Sequence, residues 1–394
     1  MSGRFFIEVA CEQRNFGNER ICGDVFISRK VKEENRTIVV LSDGMGHGVK
    51  ANVLATITAT LAVNFTMEHK AVEKIADIIM NTLPVCSERH MSYSTFTIVD
   101  IEHEGLTTIL EYDNPQTIIL RDNKAFDPGW NCVVLDSEKN AGKEILSCQF
   151  EPRKEDRIIF CSDGIAQSGL GSDKYPLGWS RDNMLDYTMK LVQNSPKISA
   201  TKLASKMVNM AHRNDGFNSK DDTSCASIYF RKPRKLLIVT GPPYEKENDT
   251  QLGESVKGFR GKIVVCGATT ADIISRELDV EIEDSLVFED PDLPPVSHME
   301  GIDLVTEGIL TLTKVTRILK EYSPSYGLGK GPADRIVKLF RQSDEIQFVI
   351  GTRINIAHQD PNLPVDLEMR RTVVKRMARL LEEKFLKEVA IRYI

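Results

Sequence analysis

The apolar positions of the chain follow two rhythms, and the change comes near residue 233. Before it, short β-branched runs at residues 37–41, 95–101, 117–120 and 157–161 predict strands. After Gly46-His47-Gly48, the residues Val49, Val53, Ile57, Leu61 and Phe65 recur at every fourth position, which predicts a long helix with one apolar face. Two more helices are expected over residues 71–82, ending at Pro84, and over residues 200–212. Long helices between β-runs, without a regular βαβ beat, point to sheets covered by helices.

Beyond 233 the rhythm is strand, turn, helix. Runs at 235–240, 262–266, 302–305 and 345–350 read as strands, and helical patterns over 271–278 and 309–320 follow the second and third. This predicts a small α/β domain. A last helix over about 365–389 carries Val373, Val374, Met377, Leu380, Leu381 and Phe385 on one face and is expected to dock on that domain or on a second subunit, as in a homodimer. Arg231-Lys-Pro-Arg-Lys235 separates the rhythms, and Pro233 disfavours one continuous strand, so the expected domains are 1–232 and 233–394.

Composition narrows the class. With 394 residues, two cores are the natural expectation, and 41% hydrophobic with 27% charged residues fits a globular protein. A net charge of −6 argues against a general nucleic-acid binder. None of the eight cysteines forms a C-x-x-C pair, and several sit in apolar runs, so they read as small buried hydrophobes of a reducing cytoplasm. No signal-peptide h-region and no apolar run of about 18 residues is present, so no membrane association is expected.

The chemistry gathers in acids at strand ends. Residues 38–44, Ile-Val-Val-Leu-Ser-Asp43-Gly44, and residues 158–164, Ile-Ile-Phe-Cys-Ser-Asp163-Gly164, are both apolar runs closed by Ser-Asp-Gly. Carboxylates at a sheet rim, with carbonyls exposed by glycine, offer the hard oxygens that Mg2+ and Mn2+ prefer. Asp221 and Asp222 precede the apolar run 225–230, and Asp24 follows Gly23 just before 25–28. Each alone reads as a turn or helix cap. Four such sites in one domain favour a metal centre.

These runs carry a resemblance. Cys22-Gly23-Asp24-Val25-Phe26, then Ser42-Asp43-Gly44-Met45-Gly46-His47-Gly48 with Ala51, then residues 156–164, then Asp221-Asp222-Thr223-Ser224, resemble the SpoIIE-like branch of the metal-dependent PPM (protein phosphatase 2C-type) serine/threonine phosphatases over residues 1–232. Asn114-Pro115-Gln116 with Leu120-Arg121 is similar, more loosely, to a further loop of that family. The resemblance implies an α+β fold: two packed antiparallel sheets flanked by helices in α-β-β-α layers, beside the smaller C-terminal α/β domain. It implies two divalent cations, Mn2+ or Mg2+. Asp43 would bridge them, the Gly44 carbonyl would bind one, Asp163 and Asp221 the other, with Asp222 the alternative to Asp221, and Asp24 would hold a metal directly or through water. It implies as substrate a phosphorylated regulatory protein of the anti-anti-sigma-like kind. The chain departs in carrying Cys22 where glycine or serine is commoner, and no phosphate-binding arginine is assigned, although Arg14 and Arg20 lie nearby.

His47 is a candidate general acid beside Asp43, set against a plain packing role. In the second domain, Gly267 with Thr269 and Thr270, and Thr306-Glu307-Gly308, precede helices whose free N–H groups could line a small-ligand pocket, set against ordinary capping. The competing functional readings are a non-catalytic PPM-fold scaffold whose second domain binds a ligand, and a phosphatase of small phosphorylated metabolites.

Overall fold

The structure is a computed structural model, described for residues 5–17, 19–31, 33–68, 72–82, 94–102, 105–135, 140–323, 326–353 and 366–394. The chain divides into two compact units, Met1–Lys232 and Pro233–Ile394.

In chain order the first unit contains β1 (Phe6–Arg14), β2 (Asp24–Val31), β3 (Arg36–Gly44), α1 (Gly48–Met67), α2 (Val72–Thr82), β4 (Ser94–Glu102), β5 (Thr107–Tyr112), β6 (Ile118–Arg121), β7 (Lys124–Ala125), β8 (Asn131–Val134), β9 (Glu144–Phe150), β10 (Arg157–Cys161), α3 (Asp163–Ala166), α4 (Arg181–Asn194), α5 (Ala200–Asn214) and β11 (Thr223–Arg231). Two sheets form, in the orders β1-β11-β10-β6-β7 and β2-β3-β4-β5-β9-β8. Every strand pair in them is antiparallel. Alternation along the strands sends one face of each sheet inward. Val39, Leu41, Val99 and Ile109 of one sheet thus meet Ile158, Phe160, Ala226 and Ile228 of the other. The opposite faces are covered by helices: Ile38, Val40, Phe96 and Ile98 pack with Ala59, Ala62 and Val63 of α1, and Ile159, Cys161 and Cys225 pack with Leu203, Ala204 and Met207 of α5. The α-β-β-α layering is therefore present.

One expectation for α1 reverses. Val49, Val53 and Ile57 are exposed, and the buried face is Ala51, Ala55, Thr58, Ala59, Ala62, Val63 and Thr66. Small side chains let the helix axis come close to β3, and Val49, Val53 and Ile57 are left outside, while Phe65 at the far end still packs on the core. The second predicted helix is observed as α2, and its expected stop at Pro84 lies outside the described residues.

The second unit contains β12 (Lys235–Thr240), α6 (Asp249–Lys257), β13 (Lys262–Cys266), α7 (Ala268–Leu278), β14 (Ile282–Asp284), β15 (Ser297–Met299), β16 (Leu304–Thr306), α8 (Ile309–Glu321), α9 (Pro332–Gln342), β17 (Glu345–Ile350), α10 (Asp366–Glu383) and β18 (Glu388–Tyr393). Its sheet runs β14-β15-β16-β13-β12-β17-β18, parallel from β16 to β18 with an antiparallel edge at β14 and β15. This is an α/β domain with hydrophobic clusters on both faces of the sheet. The last helix is shorter than expected. It stops at Glu383, Leu386 takes φ 53°, and the chain returns as β18 beside β17. Val374, Met377, Ala378 and Leu381 of α10 are buried in their own unit, with Val373, Leu380 and Phe385 packed around them. That face is therefore used within the domain and offers no seam to a second subunit. Among the described residues no helix is long and apolar enough to cross a membrane.

Candidate active site

Register places the acids. Asp24, the first residue of β2, lies directly opposite Asp43 on β3, and Asp43 lies opposite Thr95 on β4. Side chains at directly opposed positions are roughly 5 Å apart, and like charges there repel. Asp163 and Asp221 come from the other sheet, at the ends of β10 and β11. Burial raises the Asp43 carboxyl well above the usual carboxylate range, and the charges of Asp24, Asp163 and Asp221 push it further. Burial and Asp163 likewise push Asp221 up to about 6. The Asp24 carboxyl is also raised, chiefly by burial, against hydrogen bonds from Ser224 and Ser162. Four acids thus share one electrostatic environment.

The two Ser-Asp-Gly runs are not structural twins. Asp43 and Gly44 continue the ladder of β3, Gly44 opposite Ser94, whereas Asp163 opens the short helix α3 behind Ser162. Nor do their glycines serve a sharp left-handed turn; both are needed for close approach. A Cβ on Gly44 would stand 2.0 Å from the Ala51 carbonyl oxygen of α1, and one on Gly164 would stand 2.2 Å from the Asp222 carbonyl oxygen. Gly44 thereby seats α1 on β3, and Gly164 seats the Asp221-Asp222 segment beside Asp163.

The donor set suits a hard cation. Asp24 Oδ1 and Asp222 Oδ2 are buried without a hydrogen-bond partner in the described structure, a costly state for carboxylate oxygens unless a cation or water meets them. Among the described residues, no three carboxylate, thiol or imidazole groups are gathered tightly enough to cage one ion unaided. Asp221 and Asp222 differ in employment: Asp222 Oδ1 accepts the Phe16 N–H at 2.9 Å and is tied to the loop after β1, while Asp221 Oδ1 accepts the Asp222 N–H at 2.8 Å and its carboxyl feels the charge of Asp163.

Supporting residues come partly from the motifs, as Ser162, Ser224 and Asn114 do, and partly from segments with no local signal, as Gln13 and Asp113 do. Ser224 Oγ donates to Asp24 Oδ2 at 2.6 Å, Gln13 Nε2 reaches Ser224 Oγ at 3.0 Å, and the Ser162 hydroxyl accepts Ser224 N–H at 3.0 Å. Asp113, raised by burial and by the charge of Asp163, also feels the acidic field. Asn114 bridges the hydroxyls of Thr95 and Thr97 beside Asp43. Arg121 instead pairs with Asp156 at 2.7 Å, away from the acids. Arg14 Nη2 points to Asn209 Oδ1 at 3.4 Å.

A profile of the family described as Stage II sporulation protein E (SpoIIE) matches residues 33–231, half of the chain. The chain belongs to the SpoIIE family. Asp43, Gly44, His47, Asp163, Asp221 and Asp222 fall inside the SpoIIE match, and Asp24 lies just before it. No curated protein sequence matches the chain. Among solved structures, the SpoIIE phosphatase domain of Bacillus subtilis, in a crystal form without domain swapping, is 15% identical, with a TM-score of 0.44 over 59% of this chain and 95% of that one. The RsbU and RsbW domains of a Mycobacterium tuberculosis protein are 15% identical, with a TM-score of 0.46 over 64% of this chain and 68% of that one. The catalytic domain of the serine/threonine phosphatase PstP, in complex with two manganese ions, is 13% identical, with a TM-score of 0.38 over 58% of this chain and all of that one.

The second-domain residues take up ordinary duties. Gly267 follows β13 with φ 106° and lies against Gly308 at the end of β16, so the two turns pack on each other. Thr270 Oγ1 accepts the Gly241 N–H at 2.9 Å. Thr269 follows Ala268 in the first turn of α7, and Thr306 Oγ1 donates to the Glu307 carbonyl. Glu307 places its carboxylate on the N–H groups of Leu310 and Thr311, so the N-terminus of α8 already holds an anion of its own.

Proposed function

We propose that residues 1–232 hydrolyse phosphoserine and phosphothreonine esters on a regulatory protein, using two divalent cations, Mn2+ or Mg2+. The observation that carries this reading is the convergence of buried Asp24 and half-buried Asp43, Asp163 and Asp221 from two sheets, mutually repelling. Asp43 would serve both cations, with the Gly44 carbonyl beside it, Asp163 and Asp221 the second, and Asp24 the first, directly or through water. Asp222, whose Oδ1 holds Phe16 and whose Oδ2 is buried without a partner, is the alternative to Asp221. When bound, such a pair of cations acidifies water and neutralises phosphoryl oxygens. The chain's own work is to hold these carboxylates in one place, orient Asp24 through Ser224 and Gln13, and present His47 Nε2 to the departing oxygen as a proton donor. Membership of the SpoIIE family supports phosphatase chemistry in residues 33–231; an anti-anti-sigma-like phosphoprotein as substrate and a controlling role for residues 233–394 are part of the same proposal.

The test is Asp43→Asn. The variant should melt as a folded protein, lose the thermal shift that Mn2+ gives the parent, and lose Mn2+-dependent hydrolysis of a phosphoserine peptide. Wild-type turnover and an unchanged Mn2+ shift would reject the site.

A further inference from the structure

His47 is held more firmly than a surface histidine in a glycine-flanked turn would be. Gly46 and Gly48 take φ 94° and 69°, so the residue between them is carried out in an extended conformation at the start of α1. Its imidazole lies against the Phe16 ring, centroids 4.6 Å apart and planes 32° apart. Its Nδ1 faces Glu19 Oε1 at 3.2 Å. Phe16 and Glu19 belong to one tight turn, in which Glu19 N–H donates to the Phe16 carbonyl at 2.9 Å and Asn15 Nδ2 to the Glu19 carbonyl at 2.9 Å. The turn is fixed to the acidic centre, since Phe16 N–H donates to the buried Asp222 carboxylate. The Glu19 carboxylate sits 3.2 Å from where a Cβ on Gly48 would lie, so any larger residue there would crowd it. Through Phe16, which stacks on it and is bonded to Asp222, the ring is tied to the segment that carries Asp221 and Asp222.

We propose that Phe16 and Glu19 form a rest for the His47 imidazole, and that Glu19 is a positioning residue for the proton delivered to the leaving group. This rests on the phosphatase reading. Glu19 accepts the Nδ1 hydrogen, Phe16 fixes the ring plane, and Nε2–H is left free to face the ester oxygen. As a water oxygen bonds to phosphorus, its proton passing to solvent, the P–O ester bond breaks, the bonding pair goes to the serine or threonine oxygen, which takes the Nε2 proton of the imidazolium, and solvent returns a proton to the neutral ring. Such help matters for an alkoxide, a poor leaving group, and little for nitrophenolate. Both Glu19 and His47 are exposed. Their pairing is therefore modest, and Glu19 is expected to matter about three- to five-fold.

The experiment measures kcat and KM of the full chain with Mn2+ on a phosphoserine peptide and on p-nitrophenyl phosphate, together with melting temperature. Glu19→Ala should lower the ratio of peptide to nitrophenyl kcat three- to five-fold at unchanged KM. Glu19→Gln, which keeps an acceptor, should recover most of it. In His47→Gln the ratio falls further, and adding Glu19→Ala to that variant should change nothing more. An equal loss on both esters, or a ratio unmoved by Glu19→Ala, overturns the positioning role. A ratio unmoved by His47→Gln removes the proton donor, and with it the rest. A parent protein inactive on both esters sinks the phosphatase reading instead.

Discussion

Gly164→Ala tests whether the missing side chain of one glycine holds the acidic centre together. The added methyl would lie 2.2 Å from the Asp222 carbonyl oxygen and 3.1 Å from Thr223 Cγ2. Ordinary contact begins near ~3.4 Å, so a gap of about 1 Å must open between α3 and the start of β11. The obstacle is backbone, which cannot rotate aside. Forcing extra volume into such a place costs roughly 1–3 kcal/mol. The reduced freedom of the unfolded chain returns about 0.4–1 kcal/mol. Against a typical stability of ~5–15 kcal/mol the domain should still fold, with a melting temperature lower by roughly 2–10 °C. The larger effect is on chemistry. Asp221 would move relative to Asp163, and a misplacement of ~1 Å can cost about 100-fold in rate. Mn2+-dependent turnover of a phosphoserine peptide, with thermal melts, reads both. Gly327→Ala, with nothing within 4 Å of the added carbon, serves as the neutral control. If Gly164→Ala kept parental turnover and melting temperature, the Asp222 carbonyl would not be fixed where Asp163 needs it.

Glu111 is buried, accepts from both the N–H and the hydroxyl of Thr117, and burial pushes its carboxyl from 4.5 up to about 7. A pKa raised in the folded state gives stability that is whole below pH 4.5 and lost as pH climbs to 7, on the order of 3 kcal/mol from the 2.5-unit difference. Glu111→Gln should therefore gain on the parent in melts as pH rises from 4.5 to 7; a flat difference would contradict the burial effect. On α1, Val53→Ser and Ile57→Ser should each shift stability by less than ~0.5 kcal/mol, while Ala59→Leu should cost roughly 1–3 kcal/mol. Denaturant unfolding in which the serine variants lost more would restore the outer stripe to the core.

What the sequence disclosed, and what it hid, follows from where information is local. Strands at Arg157–Cys161, Lys235–Thr240, Lys262–Cys266 and Glu345–Ile350 were legible to the residue, because continuous buried β-branched runs end where Gly, Ser or Pro begins. The aspartates were legible as strand-end carboxylates. The burial of α1 was not, because a period of four fits two faces of a helix, and which one is used depends on how closely β3 can approach. Nor was β18, since no glycine or proline stops α10; Leu386 itself takes the left-handed conformation. Phe16 and Glu19 precede any motif, and only the closing of the sheets brings them to His47.

That closing has a consequence for how the protein is made. β1 pairs with β11 residue for residue, from Phe6 with Arg231 to Arg14 with Thr223. The bonds from Ser224 to Asp24 and from Phe16 to Asp222 span the same distance along the chain. Contacts this far apart in sequence are slow to form. At a synthesis rate of ~5–20 residues per second, the first strand waits roughly 10–40 seconds for its partner to be made. For the first part of that interval the carboxylates of Asp24 and Asp43 can meet across β2 and β3 while Asp163 and Asp221 do not yet exist. A chain halted before residue 221 would carry Asp24, Asp43 and Asp163 but neither Asp221 nor the strand that pairs with β1.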